Sequence, residues 1–260
     1  MEVTLLAAAI SFLLAAGLET FFLRGTRRDH LGRMPRAFPT LAVTMVITAG
    51  VLGAMGGAEG TSLLFAAAAG MLLLGVGLWS ERHGRATRSH ALGSVGAALL
   101  LFAGGISSPV LTLPGIGTAW IGTPLSFLIS VGWVFLMIGL IELCSLLPFV
   151  AAAVGMLVGS IVLLPITFHE TYAGYALCGM LLGAIPGRFL GELFAFRSRS
   201  HTMPEVLVLG LFIGAASLAT FVKGFTGMLV VVPVLLATTA AVILVTHSLD
   251  SGLILRRKPR

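Results

Sequence analysis

Apolar residues run along this chain in long blocks broken by short polar or basic stretches. The blocks fall at about 3–24, 38–57, 61–79, 91–105, 122–142, 146–166, 172–187, 205–222 and 224–246, close to the roughly 20 residues that cross a bilayer. A helix apolar on every face belongs either in a large core or in a membrane. The pattern therefore predicts an all-α, polytopic membrane helix bundle of about nine spans, forming one transmembrane domain over 1–260.

Composition sharpens this choice. The chain is 57% hydrophobic and 10% charged, with mean hydropathy +1.06. Soluble domains carry about a quarter charged residues, so a water-soluble enzyme is excluded. The 33 glycines suit close helix packing in lipid. The first block follows Glu2 and lacks a basic n-region, which reads as a retained span rather than a cleaved signal. Cys144 and Cys178 lie in apolar surroundings without metal-type spacing, and Cys144 reads as a small packing residue.

Charge supplies orientation. The net charge is +6, yet the basic residues concentrate between blocks, which speaks for topology rather than nucleic acid. Arg24, Arg27, Arg28, Arg33 and Arg36 follow the first span. Arg82, Arg85 and Arg88 follow the third, Arg188, Arg197 and Arg199 the seventh, and Arg256, Arg257, Lys258 and Arg260 end the sequence. With the N-terminus outside and the C-terminus inside, only Lys223 of the 16 basic residues falls outside the cytoplasm. That asymmetry selects the N-out, C-in orientation for a multi-pass chain.

Polar features interrupt the blocks at a few places. Glu142, Cys144 and Ser145 form a polar break where an apolar wall should continue. A carboxylate at a span end is a functional-site candidate, the plainer alternative being a snorkelling end residue. Glu81 reads as a loop acid and Glu19 as a residue that pairs locally or snorkels. The stretch 105–122, uncharged and dotted with Gly and Pro, reads as a small hairpin or a re-entrant turn with Trp120 at the interface. His169 and Glu170 read as a solvated loop pair.

Four segments, in order, resemble the polyprenyl-phosphate N-acetylhexosamine-1-phosphate transferases. This family, glycosyl transferase family 4, includes phospho-N-acetylmuramoyl-pentapeptide transferase. The sequence Arg27-Arg28-Asp29-His30-Leu31-Gly32-Arg33-Met34-Pro35-Arg36 resembles the family's R-K-x-H-x-x-P-x-P-R, with Phe38-Pro39 where Gly-Gly normally follows. Gly77-Leu78-Trp79-Ser80-Glu81-Arg82-His83-Gly84 resembles G-L-x-D-D-x-x-G, with Ser80 at the first acid. The central stretch resembles N-A-x-N-x-x-D-G-L-D-G-L-A, with Gly139 and Glu142 at the asparagines and Ser145 and Pro148 at the aspartates. Gly183-Ala184-Ile185-Pro186 and Leu209-Gly210 bracket a segment like F-x-G-D-S-G-S-x-x-L-G, where Ser198 or Met203 stands in place of the catalytic aspartate. The similarity extends to about residue 225.

The resemblance implies a multi-pass scaffold in a bacterial inner membrane, for moving a sugar-1-phosphate from a UDP-sugar to undecaprenyl phosphate with Mg²⁺. The missing acids imply a catalytically inactive member, a pseudoenzyme without a cofactor, acting as a lipid-phosphate-binding partner or regulator in cell-envelope glycan assembly. Arg27, Arg28, His30 and Arg36 would hold the phosphate of a polyprenyl or other anionic lipid, the alternative being positive-inside anchoring alone. Partners would include a second copy or an active family member. Magnesium needs one or two carboxylates beside its waters, so Glu81 with Glu142 remains a minimal catalytic and metal pair for an active, rewired transferase. A small-solute or lipid transporter using the break at Glu142 is a third reading.

Overall fold

The computed structural model describes residues 2–25, 39–83, 86–107, 110–113, 117–120, 122–144, 171–195 and 202–220. Several sequence expectations lie outside them: Arg27, Arg28, His30 and Arg36, Ser145, Pro148 and Ser198, His169 and Glu170, the sixth and ninth spans, and the basic C-terminal end.

The described chain is helical apart from one hairpin. Its helices are α1 (Glu2–Gly25), α2 (Thr40–Met55), α3 (Thr61–His83) and α4 (Ala86–Ala103). After the hairpin come α5 (Thr123–Cys144), α6 (Tyr172–Ala195) and α7 (Met203–Thr220). The hairpin joins β1 (Val110–Leu113) to β2 (Gly117–Trp120) antiparallel, pairing Val110 with Trp120 and Leu113 with Gly117. Of the two alternatives for 105–122, the hairpin is the one present.

Glu2–Phe22 and Thr61–His83 are long and apolar enough to cross a membrane, each with mean hydropathy 2.0. Thr40–Met55, Ser89–Ala103, Thr123–Gly139 and Met203–Ala219 are apolar but shorter. Two helices, rather than nine, therefore meet the length and composition test among the described residues.

Three element ends correct the sequence reading. Helix α3 runs on through Ser80, Glu81 and Arg82, so Glu81 belongs to a helical last turn rather than a loop. Helix α5 continues through the expected polar break to Cys144. Helix α6 continues past Arg188 to Ala195, although Pro186 lacks the N–H that would serve the Leu182 carbonyl. The common reason is that apolar blocks end at the first charge, whereas backbone hydrogen bonding runs on through polar residues.

Contacts show how the helices alternate. Glu19 of α1 meets Thr40 of α2, and the backbone N–H of Met203 meets Glu81 of α3. His90 of α4 lies beside Glu142 of α5. These pairs define one end of the bundle, called here the carboxylate end. At the opposite, hairpin end, Ser62 Oγ donates to the Gly104 carbonyl, Tyr172 to Leu52 and Thr171 to Ala219. Cys144 and Thr171 thus stand at opposite ends.

Helix α7 is the hub. Residues 206–219 are all buried, and the helix packs on α2, α3, α4, α5 and α6. Phe212 fills its centre, while Trp133 of α5 donates its indole N–H to Ser217 Oγ at 2.6 Å. Close approach is achieved with glycine. A methyl group at Gly210 would come within 2.6 Å of Ile138 Cα, and one at Gly77 within 2.7 Å of Pro204 Cα.

The seam between α1 and α6 shows the same logic in a regular form. Helix α1 buries Ala7, Ser11, Ala15 and Glu19 while exposing Leu5, Leu13 and Phe21. Opposite that stripe, Gly179, Gly183, Gly187 and Gly191 recur every fourth residue, one helical face. Gly179 faces Thr4, Gly183 faces Ala8, Gly187 faces Phe12 and Gly191 faces Glu19, so the two helices run parallel. Small residues inside and large apolar residues outside invert the soluble pattern and match helix contacts in lipid.

Gly183→Ala should therefore destabilise the protein by about 1–3 kcal/mol, because its methyl meets the Ala8 backbone. Gly17→Ala, in open space on α1, should be neutral or stabilise by about 0.5–1 kcal/mol. Thermal unfolding of the two variants in one detergent checks the contrast, and equal effects would count against the seam.

Candidate functional site

Among the acids whose side chains are described, four stand at the carboxylate end, in two kinds of setting. Glu19 and Glu205 are buried, each 1% exposed, whereas Glu81 and Glu142 stand at the rim.

Glu205 occupies the first turn of α7, where the sequence Thr202-Met203-Pro204-Glu205 has capping-box spacing. Its Oε2 accepts from the Thr202 backbone N–H at 3.1 Å, completing the carboxylate half of that box. The same oxygen accepts from Arg188 Nη1 of α6 at 2.7 Å. Its Oε1 accepts from the Leu41 N–H at 3.2 Å, in the first turn of α2. One carboxylate thus serves two helix N-termini, whose first N–H groups lack intrahelical partners and whose dipoles favour negative charge. The Thr40 hydroxyl donates to Glu19 and stands 3.4 Å from Glu205 Oε1, drawing α1 into the cluster.

Arg188 reads from sequence as an inner-loop cation. In the structure it is 5% exposed and paired. Glu205 carries no candidate role in the sequence reading, although its Thr-x-x-Glu spacing ahead of an apolar run is a legible signal. Glu19 takes the local-pairing alternative, through Thr40 rather than by snorkelling.

The rim acids face different neighbours. Glu81 Oε1 accepts the Met203 backbone N–H at 2.9 Å, at the start of α7. Nearby His83 stacks on Trp79 at 4.8 Å and has Nδ1 2.9 Å from the Trp79 carbonyl oxygen. Glu142 is partly exposed and lies 3.7 Å from His90 Nδ1, beyond hydrogen-bond distance. Between α4 and α5 these two line a cavity of about 150 Å³, together with Ser94, Phe135 and Ile138. Among the described residues, no group of three or more His, Cys, Asp and Glu is placed to hold a metal. Arg27, Arg28, His30 and Arg36 lie outside the described residues.

Glu81 and Met203, far apart in sequence, are directly hydrogen-bonded. Compared with protein-family models and with curated proteins, the chain matches none.

The buried cluster should respond strongly to losing one partner. Glu205→Gln or Arg188→Met alone should cost about 3–5 kcal/mol, since each leaves the other charge buried and uncompensated. The double variant should lose clearly less than the sum, which a double-mutant cycle on unfolding in detergent would measure. Simple additivity would show that the pair is not coupled.

Proposed function

We propose that this chain is a multi-pass bacterial inner-membrane protein. In this reading it is a divergent, catalytically inactive relative of the polyprenyl-phosphate sugar-1-phosphate transferases. It binds a lipid phosphate through Arg27, Arg28, His30 and Arg36, and acts as a partner or regulator in cell-envelope glycan assembly. The observation that carries the reading is the hydrogen bond between Glu81 and Met203. It joins two segments far apart in sequence, at the end where Glu142 also stands, and these segments resemble motifs that line one catalytic cleft in that family. The inverted polarity of α1 supports the membrane setting.

The chemistry left at this end supports binding over transfer. A diphosphate reaction on Mg²⁺ needs oxygen ligands converging on one point and neutralisation of the leaving nucleotide. Ser80, Ser145, Pro148 and the Ser198 or Met203 position offer no carboxylate. Glu81 directs Oε1 to a backbone amide, while Glu142 stands beside an imidazole.

A periplasm-dependent reporter fused to the C-terminus should stay silent, since the proposed orientation puts that end inside; signal from it would reverse the topology.

Purified protein given Mg²⁺, a UDP-N-acetylhexosamine and undecaprenyl phosphate should release no UMP above background. Turnover abolished by Glu81→Gln or Glu142→Gln would instead establish the rewired active transferase. In the same preparation, undecaprenyl phosphate should be retained, and Arg27→Ala with Arg36→Ala should reduce retention at least tenfold. A generic surface attraction contributes about 1 kcal/mol for any basic residue. Neutralising Arg256, Arg257 and Lys258 should therefore matter far less, and equal losses from both sets would leave membrane anchoring alone.

A further inference from the structure

Thr44 and Thr48 of α2 are fully buried, and neither hydroxyl has a hydrogen-bond partner among the described residues. A helical hydroxyl ordinarily returns its hydrogen to the carbonyl four residues back. Ser11 does so to Ala7, Thr20 to Ala16 and Ser94 to His90. Thr44 and Thr48 make no such bond. A buried hydroxyl left unpaired is costly, so two of them one turn apart call for a partner outside their own helix.

Their position says where that partner enters. Thr40, Thr44 and Thr48 fall four residues apart, on one face of α2. Thr40 turns that face to Glu19 of α1, and Leu52 near the other end of α2 accepts from Tyr172 of α6. Helix α2 thus lies against the α1–α6 pair, antiparallel to α1. Ser11 and Thr48 each stand two turns inside the Glu19–Thr40 contact, about 12 Å, and so share a depth. Ser11 is fully buried, and its oxygen keeps acceptor capacity beyond the bond it gives to Ala7. Farther along α1, the Thr4 hydroxyl is likewise unpartnered.

No charged residue interrupts α1 between Val3 and Leu18 or α2 between Thr40 and Met55. The groups on offer are hydroxyls that both donate and accept, which suits water and gives an ion no counter-charge. We infer that the Thr44–Thr48 face of α2 is a hydration track along the α1–α2 seam, leading water to the Thr40–Glu19 contact. Successive hydroxyls lie one turn apart, about 5–6 Å between Cβ atoms, a spacing that one bridging water spans. Both threonines are closed off in the arrangement described, so water enters as α2 parts from the α1–α6 pair. The glycine seam keeps α1 and α6 together in that movement, while polar contacts hold α2 to them near its two ends. The track is independent of the lipid-phosphate site in the proposed function.

The test follows exchange of thiol hydrogen for deuterium in the full-length chain in detergent, read from the S–H stretch in the infrared. That exchange needs water alone, not a reagent that must fit the seam. The signal of Cys144 and Cys178 is measured on the unmodified chain and subtracted. Thr44→Cys and Thr48→Cys should exchange at least tenfold faster than Met45→Cys and Ala49→Cys, equally buried positions on the adjoining face. In a chain carrying Ser11→Cys, adding Thr44→Val and Thr48→Val should slow exchange at that thiol at least fivefold. The valines keep the shape and remove only unpaired hydroxyls, so the fold should tolerate them. Equal rates at the four α2 positions overturn the proposal, as does Ser11→Cys exchange that the valines leave unchanged. Absence of exchange at Thr44→Cys and Thr48→Cys overturns it too.

Discussion

The contact between Arg188 and Glu205 is the constraint on which the rest of the described bundle depends. It is short, buried and placed where four helices meet. A buried ion pair is not in itself a large source of stability, because desolvation consumes most of the Coulomb gain. Its value lies in what fails without it. Glu205 receives a guanidinium, its own helix's first N–H and the N–H of Leu41, so its removal would strip two helix starts and one cation together. Specificity of register follows: α6 and α7 must pair at one height, and α2 must begin at that height.

The glycine seam sets the geometry that the ion pair then fixes. Gly187 and Gly191 flank Arg188 on α6, letting α1 approach closely enough for Glu19 and Thr40 to enter the same cluster. Where helices differ little from lipid in hydrophobicity, close packing and interhelical hydrogen bonds supply the association that apolar burial supplies in water. The bundle uses both devices at the carboxylate end. Toward the hairpin end it relies on Tyr172 and Thr171 capping the last carbonyls of α2 and α7.

Helix existence was legible in the sequence because unbroken apolar blocks have few other physical solutions. Seven of those blocks correspond to described helices, and the uncharged stretch before α5 does contain a hairpin. Helix ends were less legible, for a reason visible at Arg188. A charge looks like a boundary until its partner is known, and Glu205 lies 17 residues away on the next helix. The same limitation hid the cavity: His90 and Glu142 are joined only by the packing of α4 on α5. The every-fourth glycine stripe and the Thr-x-x-Glu start of α7 were both readable locally, since each depends on spacing within one helix.

The placement of the four acids also bears on what this end of the molecule can do. A carboxylate buried among several donors is held as a structural anion and is unavailable to a passing metal or substrate. Glu205, with a guanidinium and two backbone N–H groups, is of this kind, and Glu19 is buried against the Thr40 hydroxyl. Glu81 sits at the rim with one oxygen on the first turn of α7, a position where the helix dipole also favours it. Glu142 differs in setting: it is partly exposed, with His90 Nδ1 3.7 Å away, beside a cavity lined also by Ser94, Phe135 and Ile138. Of the four, Glu205, Glu19 and Glu81 therefore join helix ends, whereas Glu142 lines the cavity between α4 and α5.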